Sequence, residues 1–387
     1  MRSSSIAVAL GLAQTAFCQQ GTDLNTALSK YPETSTFQSL LQSNPQMITS
    51  TTPSNDKGGV TVLVPNNDAF TKFTNASGGT PITSQPTDKL INIFQYHVMA
   101  APLTSANFTD PKGLMVPTLL TAEAYNNRTA GADLVNAYGS KAALGQVLYV
   151  SKDPISPLRL RVRQSATGVN LRGGEALNAG MDPVDGTWSG GRFQMVDTIL
   201  TPPAPCSKTI GGQPRLSALD NAIDKTGIWP TIDHTNNITC LAPTDDAFKS
   251  AGNPDQKLNG TALTGAILFH ALPFPLYTPY ITSGMVVNSI AGLPITITVQ
   301  NGDIYFNDAK VISPNVLTNN GLIHVLDKVM SPNGTAPSST STSSGTATST
   351  PTTSASATGT AQNNAAKIGG DAAFGLLVTL AVGAMLF

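Results

Sequence analysis

Charged residues, aromatic side chains and cysteine are all scarce in this chain of 387 residues. Only 12% of the residues are charged, about half the ~25% of a typical soluble domain. The 22 basic and 23 acidic residues leave no cationic excess to neutralise phosphates, which argues against nucleic acid as the main partner. A hydrophobic fraction of 40% still suffices for folded cores. At one domain per ~100–200 residues, the length predicts two or three domains.

Sequence patterns for catalysis and metal binding are missing as well. Three cysteines and four scattered histidines give no metal-ligand spacing, and no Gly-x-Ser-x-Gly nucleophile elbow occurs. Asp182 and Asp185 are a carboxylate pair of the kind that glycoside hydrolysis uses, but their Gly-rich surroundings favour a turn. The sequence therefore predicts no enzyme activity, no cofactor and no metal. A secreted glycan-active or wall-remodelling enzyme remains the alternative.

The N-terminus carries the pattern of a secretory signal peptide. A basic start is followed by an apolar run over Ile6–Ala13 and by the small residues Ala16 and Cys18. This order predicts a signal peptide over residues 1–18 and a surface or secreted location.

Removal of Cys18 would leave Cys206 and Cys240, an even number in an oxidising compartment. The count predicts a Cys206–Cys240 disulfide, with two buried free thiols as the alternative. Such a bridge would contribute roughly 3–4 kcal/mol by chain entropy.

The C-terminus carries the pattern of a glycosylphosphatidylinositol (GPI) attachment signal. Phe374–Phe387 is an apolar run, shorter than the ~20 residues that a membrane span needs. Small residues around Asn364 and a polar spacer precede it. We therefore expect lipid attachment at Asn364 and removal of the tail, residues 365–387. A short tail anchor or a buried helix is the alternative.

A Ser/Thr-rich segment over residues 333–363 precedes the tail. Between Thr335 and Thr360, 18 of 26 residues are Ser or Thr and none is charged, which predicts an O-glycosylated stalk rather than a folded domain. Six Asn-x-Ser/Thr sequons predict N-glycosylation at Asn75, Asn107, Asn127, Asn237, Asn259 and Asn333.

The chain contains an internal repeat. The segment TVLVPNNDAF at 61–70 matches TCLAPTDDAF at 239–248 at six of ten positions, and 196–202 matches 326–332. Because the offset falls from 178 to 130, the first copy has 48 additional residues between these two motifs.

The repeated motif has a direct structural interpretation. An apolar run that ends at Pro65 or Pro243 predicts a buried strand, and Asn66 or Thr244 can then cap a helix. In the second copy, alternating apolar and polar residues predict strands at 295–299 and 303–306, joined by an Asn-Gly hairpin turn at 301–302. A further Asn-Gly turn precedes a predicted last strand at 322–327.

These segments, together with FQYHVM at 94–99, LFHALP at 268–273 and NNGLIHVLDKVMSP at 319–332, resemble the fasciclin family. The resemblance covers two FAS1-like domains, at 19–203 and 206–332, and the terminal signals resemble those of fungal GPI-anchored surface members. It implies an α+β fold in which each domain is a small β-sandwich wedge with helices packed along it. It also implies cell adhesion, or binding of a protein or polysaccharide of the cell wall or extracellular matrix. The first copy departs from the pattern, with GRFQM at 191–195 where the second has a Gly-x-Ile-His segment.

Two groups of residues are candidates for binding. Tyr96 and His97 lie in the family's Tyr-His region, although His97, His270 and His324 all adjoin apolar residues, which favours structural roles. The alternating residues 158–163 would place three arginines on one face of a strand, suited to anionic groups of a polymer. We call these three the arginine ribbon: Arg159, Arg161 and Arg163. Carriage of a small hydrophobic ligand in a groove of one domain is a further alternative.

Overall fold

Each copy of the repeat forms one seven-stranded sheet with helices packed beside it, in a computed structural model that describes residues 22–49, 58–152, 168–175 and 177–336. The signal peptide, the arginine ribbon, the stalk beyond residue 336 and the GPI tail lie outside the described residues. No helix within the described ranges has the length and apolar character needed to cross a membrane.

The first copy runs from an N-terminal group of helices into a sheet. Its helices are α1 Leu24–Leu28, α2 Ser35–Ser43, α3 Gln46–Thr49, α4 Asn67–Ala76, α5 Thr87–Tyr96 and α6 Ala132–Tyr138. Its strands are β1 Val60–Pro65, β2 Val98–Met99, β3 Leu114–Pro117, β4 Val147–Ser151, β5 Val169–Arg172, β6 Asn178–Trp188 and β7 Gly191–Val196. Short 3-10 helices lie at Pro32–Thr34, Ile82–Ser84, Ser105–Phe108 and Ala142–Leu144.

The second copy repeats this order. Its helices are α7 Cys206–Gly211, α8 Ser217–Thr226, α9 Trp229–His234, α10 Asp245–Ser250, α11 Pro254–Lys257 and α12 Gly260–Phe269. Its strands are β8 Ile238–Pro243, β9 Ala271–Leu272, β10 Val286–Asn288, β11 Pro294–Gln300, β12 Asp303–Phe306, β13 Ala309–Thr318 and β14 Gly321–Leu326. Two 3-10 helices lie at Pro214–Leu216 and Thr278–Tyr280.

The two sheets have the same topology and are nearly closed. The strand order is β2-β1-β7-β6-β5-β4-β3 in the first copy and β10-β11-β12-β13-β14-β8-β9 in the second, which is the same order in reverse. The first sheet is bridged at its ends by a Met99–Thr118 pairing, and in the second the N–H of Ile290 donates to the carbonyl oxygen of Ala271 at 2.7 Å. The expected α+β fold with two similar domains in tandem is confirmed.

The repeated apolar run forms a strand that is buried on both faces. In β1, Val60, Val62 and Val64 pack against the helices, while Leu63 points into the curled sheet, as the two-residue period of a strand requires. The strand pairs in parallel with the last strand of its own copy, β1 with β7 and β8 with β14. A Cβ atom added to Gly321 would lie 1.9 Å from the carbonyl oxygen of Ile238, so this pairing requires glycine there.

The predicted helix caps and the hairpin turn are present. Oδ1 of Asn66 accepts a hydrogen bond from the N–H of Ala69 at 2.9 Å, which begins α4. Oγ1 of Thr244 accepts from the N–H of Ala247 at 3.2 Å, which begins α10. The Asn301-Gly302 turn between β11 and β12 has φ angles of 53° and 83°, the left-handed backbone of a two-residue hairpin.

Most of the additional residues of the first copy lie in two strand connections. Between β3 and β4 the chain takes residues 118–146, whereas the equivalent connection of the second copy is 289–293. Between β4 and β5 it takes residues 152–168, where the second copy has only Asn301-Gly302. The first of these connections carries α6 and contacts the second copy, as described below.

Candidate functional site

His97 and His270 each form hydrogen bonds that link the end of a helix to the segment after the last strand of the same copy. In both rings, Nδ1 lies 2.8 Å from the carbonyl oxygen four residues earlier in the helix. Nε2 accepts the N–H of Leu200 at 3.0 Å in the first copy and that of Met330 at 2.9 Å in the second. Burial lowers the pKa of both imidazoles to about 4, so both are neutral at physiological pH. These rings have the geometry of structural residues.

His324 has a counterpart in the first copy, and it is a glutamine. Nδ1 of His324 accepts the N–H of Asn315 at 3.3 Å, and Nε2 lies 2.8 Å from the carbonyl oxygen of Leu276. At the equivalent position, Oε1 of Gln194 accepts the N–H of Asp185 at 3.0 Å, and its Nε2 donates to the carbonyl oxygen of Leu103 at 3.4 Å. The amide thus supplies one acceptor and one donor where the ring does, which explains the departure of the first copy from the sequence pattern.

The candidate binding residues Tyr96 and His97 lie inside the first copy. They are 0% and 2% exposed, and the hydroxyl of Tyr96 donates to the carbonyl oxygen of Val147 at 3.1 Å. Desolvation raises the pKa of Tyr96 well above its usual value. Neither side chain presents a surface to a macromolecular partner. The other candidate, the arginine ribbon, lies outside the described residues.

The carboxylate pair is not arranged as an acid and a base. Asp185 accepts hydrogen bonds from the N–H and Oγ of Ser105, at 2.8 and 2.6 Å, and from Nε2 of Gln194 at 2.8 Å. The hydrogen bond from the Ser105 hydroxyl contributes most to lowering the pKa of Asp185, whereas a general acid needs a raised pKa. Asp182 is exposed on β6. Among the described residues, no group of three His, Cys, Asp or Glu side chains is placed to hold a metal ion.

Cys206 and Cys240 lie together in the core of the second copy. Their sulfur atoms are 3.3 Å apart, and both residues are buried free thiols in this structure. The hydrogen bond with Cys240 and desolvation raise the pKa of Cys206. The disulfide stays a prediction. The contact between the two thiols is the arrangement from which such a bridge could form.

A shared hydrophobic core joins the two copies. Tyr277, Leu317 and Leu322 of the second copy are at most 2% exposed and pack in one cluster with first-copy residues such as Leu120 and Leu171. Both copies belong to one compact unit. We call this contact the joint: it comprises residues 118–146 and β5 of the first copy, with Tyr277 and residues 313–322 of the second.

Buried hydrogen bonds cross the joint. Nε2 of Gln146 donates to the carbonyl oxygens of Thr318 and Asn319, both at 3.3 Å. Nδ2 of Asn319 returns a bond to the carbonyl oxygen of Ala124 at 3.2 Å. Gln146 is 0% exposed and Asn319 is 7% exposed. Separating the copies would therefore break these hydrogen bonds, at a cost in free energy unless water replaced each partner.

A buried arginine also crosses the joint. Nε of Arg172 donates to Oδ1 of Asn178 at 3.1 Å, and Nη1 donates to Oγ of Ser313 at 3.1 Å and to the carbonyl oxygen of Pro314. Desolvation lowers the pKa of Arg172 to about 9, which still leaves the group charged at neutral pH. Sequence reasoning missed Arg172 and Gln146. Their only signal was a polar residue beside an apolar strand, and such residues are usually exposed.

A cleft of about 500 Å³ opens beside the joint, with walls from both copies. Lys112 and Tyr149 line the first-copy side, and the half-buried Val299 and Ile304 of the β11–β12 hairpin line the other. Nζ of Lys112 donates to the carbonyl oxygen of Ile281 across the gap at 3.3 Å. The volume falls within the ~300–1,000 Å³ range of small-molecule sites.

Each copy also has a small apolar pocket beside the histidine of its repeated motif. The pocket beside His97 has a volume of about 20 Å³, and the pocket beside His270 has a volume of about 50 Å³. Both are far below the ~300 Å³ of a ligand site. Neither of these two pockets therefore has room for a hydrophobic ligand, and the interdomain cleft is the candidate functional site among the described residues.

The six sequons divide into two groups by exposure. Four asparagines are exposed, namely Asn75, Asn107, Asn259 and Asn333. Asn127 and Asn237 are half-buried, and both lie at the rim of the joint.

Comparison with known proteins agrees with this architecture. The fasciclin domain matches the chain over residues 32–147 and 214–332, and the chain therefore belongs to the fasciclin family. Protein sll1483 of Synechocystis sp. is 32% identical over 126 residues, which are 31% of this chain and 69% of that protein. A fasciclin-like arabinogalactan protein of Arthroderma benhamiae is 24% identical over 310 residues, which are 79% of this chain and 66% of that protein. The chain thus spans about two thirds of the length of each relative.

Among solved structures, a FAS1 domain pair from the insect cell adhesion molecule Fasciclin I covers 76% of this chain and 96% of its own, with 16% identity and a TM-score of 0.34.

Proposed function

We propose that this protein is a GPI-anchored cell-surface glycoprotein whose paired fasciclin domains mediate adhesion or bind the cell wall or extracellular matrix. The observation that carries the proposal is the presence of two fasciclin domains in one compact unit, with a cleft between them. The absence of an acid–base pair at Asp182 and Asp185 supports a binding rather than a catalytic role.

The interdomain cleft is the proposed contact surface. Its walls combine the amine of Lys112 and the carboxylate of Asp303, which forms an ion pair with Lys310 at 2.6 Å, with half-buried aliphatic side chains of β11, β12 and β13, among them Val299 and Val311. This chemistry suits a segment of a polymer that carries anionic groups along an otherwise apolar face. Because each domain supplies one wall, the pair would bind where a single domain would not.

The binding experiment immobilises the secreted protein and measures cell adhesion and binding to an array of wall and matrix polysaccharides. Lys112→Glu places a negative charge in the cleft and should weaken binding at least several-fold. Lys257→Glu, at an exposed position at the end of α11, is the matched control with the same charge change. Equal binding by both variants and the unmodified protein would remove the cleft from the proposal.

The anchor is tested separately from binding. Phosphatidylinositol-specific phospholipase C should release the native protein from membranes, and the released chain should lack Phe374–Phe387. Recovery of that segment in the mature protein would contradict the lipid anchor and leave the binding proposal to be decided by the array.

A further inference from the structure

Asn127 and Asn237, which we call the joint sequons, face the opposite copy across the joint. Nδ2 of Asn127 donates to the carbonyl oxygen of Asp233 at 3.4 Å. Oδ1 of Asn237 accepts the N–H of Thr129 at 3.0 Å, and Nδ2 of Asn237 donates to Oγ1 of Thr129. Thr129 is itself the third residue of the sequon that begins at Asn127, so each sequon uses its side chains to contact the other copy.

In both joint sequons, the atom that would carry a sugar, Nδ2, makes one of these contacts. N-glycosylation bonds C1 of the sugar to Nδ2, with loss of one N–H proton and departure of the diphosphate of a lipid-linked oligosaccharide donor. At Asn237 the sugar would occupy the space taken by the Thr129 hydroxyl. At the exposed Asn259, by contrast, Oδ1 caps α12 through the N–H of Ala262 at 2.9 Å, and Nδ2 makes no hydrogen bond to a described residue that a sugar would displace.

We propose that the joint sequons act as a docking switch: the two domains dock only in chains that carry no N-linked sugar at Asn127 and Asn237. The reason lies directly behind the rim. The carbonyl oxygen of Asp233 also accepts from Nδ2 of the buried Asn320 at 3.3 Å, and the bonds of Gln146 and Asn319 follow further inside. A sugar at the rim would therefore hold the two copies apart and expose to water hydrogen bonds that are buried in the docked pair.

The inference rests on the proposed surface location, because N-glycosylation occurs in the secretory pathway. The first experiment expresses the full chain in a yeast host, collects it from the medium and, after phosphatidylinositol-specific phospholipase C treatment, from the membranes, and separates compact from extended molecules by size-exclusion chromatography with X-ray scattering. Peptide:N-glycosidase in ¹⁸O water then marks each glycosylated asparagine. In compact molecules we expect label at the exposed sequons and none at Asn127 or Asn237. Label at either joint sequon in compact molecules would overturn the inference, whereas label confined to extended molecules supports it.

A second experiment does not depend on glycosylation. Asn127→Trp adds bulk at the rim, Asn127→Ala removes only the hydrogen bond, and Asn75→Trp adds the same bulk at an exposed position of α4. Far-UV circular dichroism first confirms that each variant is folded.

A single compact unit of about this size has a radius of gyration of ~20 Å. Only Asn127→Trp should increase the measured radius, by several ångströms. If Asn127→Trp stays as compact as Asn75→Trp, the rim tolerates bulk and the inference is wrong. If no sequon carries sugar in the first experiment, the surface location fails, and this second experiment alone decides the docking switch.

Discussion

Acid should destabilise this fold in a pH window that is set by its buried histidines. His97, His270 and His324 each have a folded-state pKa of about 4, against an ordinary value of 6.5. As pH falls below 6.5 the unfolded chain takes up protons that the folded protein cannot. The stability that neutral imidazoles contribute is therefore complete above pH 6.5, declines with falling pH and is lost by about pH 4.

The size of the effect follows from the pKa difference. Each histidine contributes a slope of up to about 1.4 kcal/mol per pH unit, or roughly 3 kcal/mol across the window. The cause is desolvation at all three sites. The charge of Arg172 adds to it at His324, while Asp308 opposes it at His270. The pKa of Asp185 lies below 3.8. The stability that this carboxylate contributes is therefore lost at more acidic pH than the range between pH 6.5 and pH 4 in which the histidines act.

The repeat itself provides the test. His324→Gln copies the solution that the first copy uses at Gln194, so the variant should fold at pH 7 with an acceptor and a donor in place. Urea unfolding at several pH values between 7 and 4.5 should show the slope reduced by about one third. His234→Gln replaces a histidine at an exposed position and is the matched control. An unchanged slope in His324→Gln would refute the reasoning.

Three further outcomes are expected. Gln146→Ala should lower the free energy of unfolding by ~1–3 kcal/mol in urea titrations, because two buried carbonyl groups of the joint lose their donor. Changing all three arginines of the ribbon to glutamine should flatten the salt dependence of adhesion, and adhesion equal to that of the unmodified protein at every salt concentration would leave the ribbon without a binding role. Non-reducing peptide mapping of the secreted protein should recover Cys206 and Cys240 in one linked peptide, whereas two alkylated thiols would contradict the disulfide.

Local sequence determined the repeated framework of this protein. The apolar run with its terminal proline gave a strand buried on both faces, Asn66 and Thr244 capped the following helices, and Asn301-Gly302 formed the hairpin turn. Each of these features depends on residues within a few positions of one another. Backbone conformation, capping and alternation act at that range, which is why they could be predicted from the repeat.

The candidate site could not be predicted in this way, because its residues come from different copies. Gln146 and Asn319 are 173 positions apart, and Arg172 reaches Ser313 over 141. In sequence these are ordinary polar residues, and only the packing of one sheet against the other buries them. The same holds for the sequons, since all six share one local pattern. Only the docking of the two domains separates Asn127 and Asn237 from the other four, because exposure depends on what the rest of the chain covers.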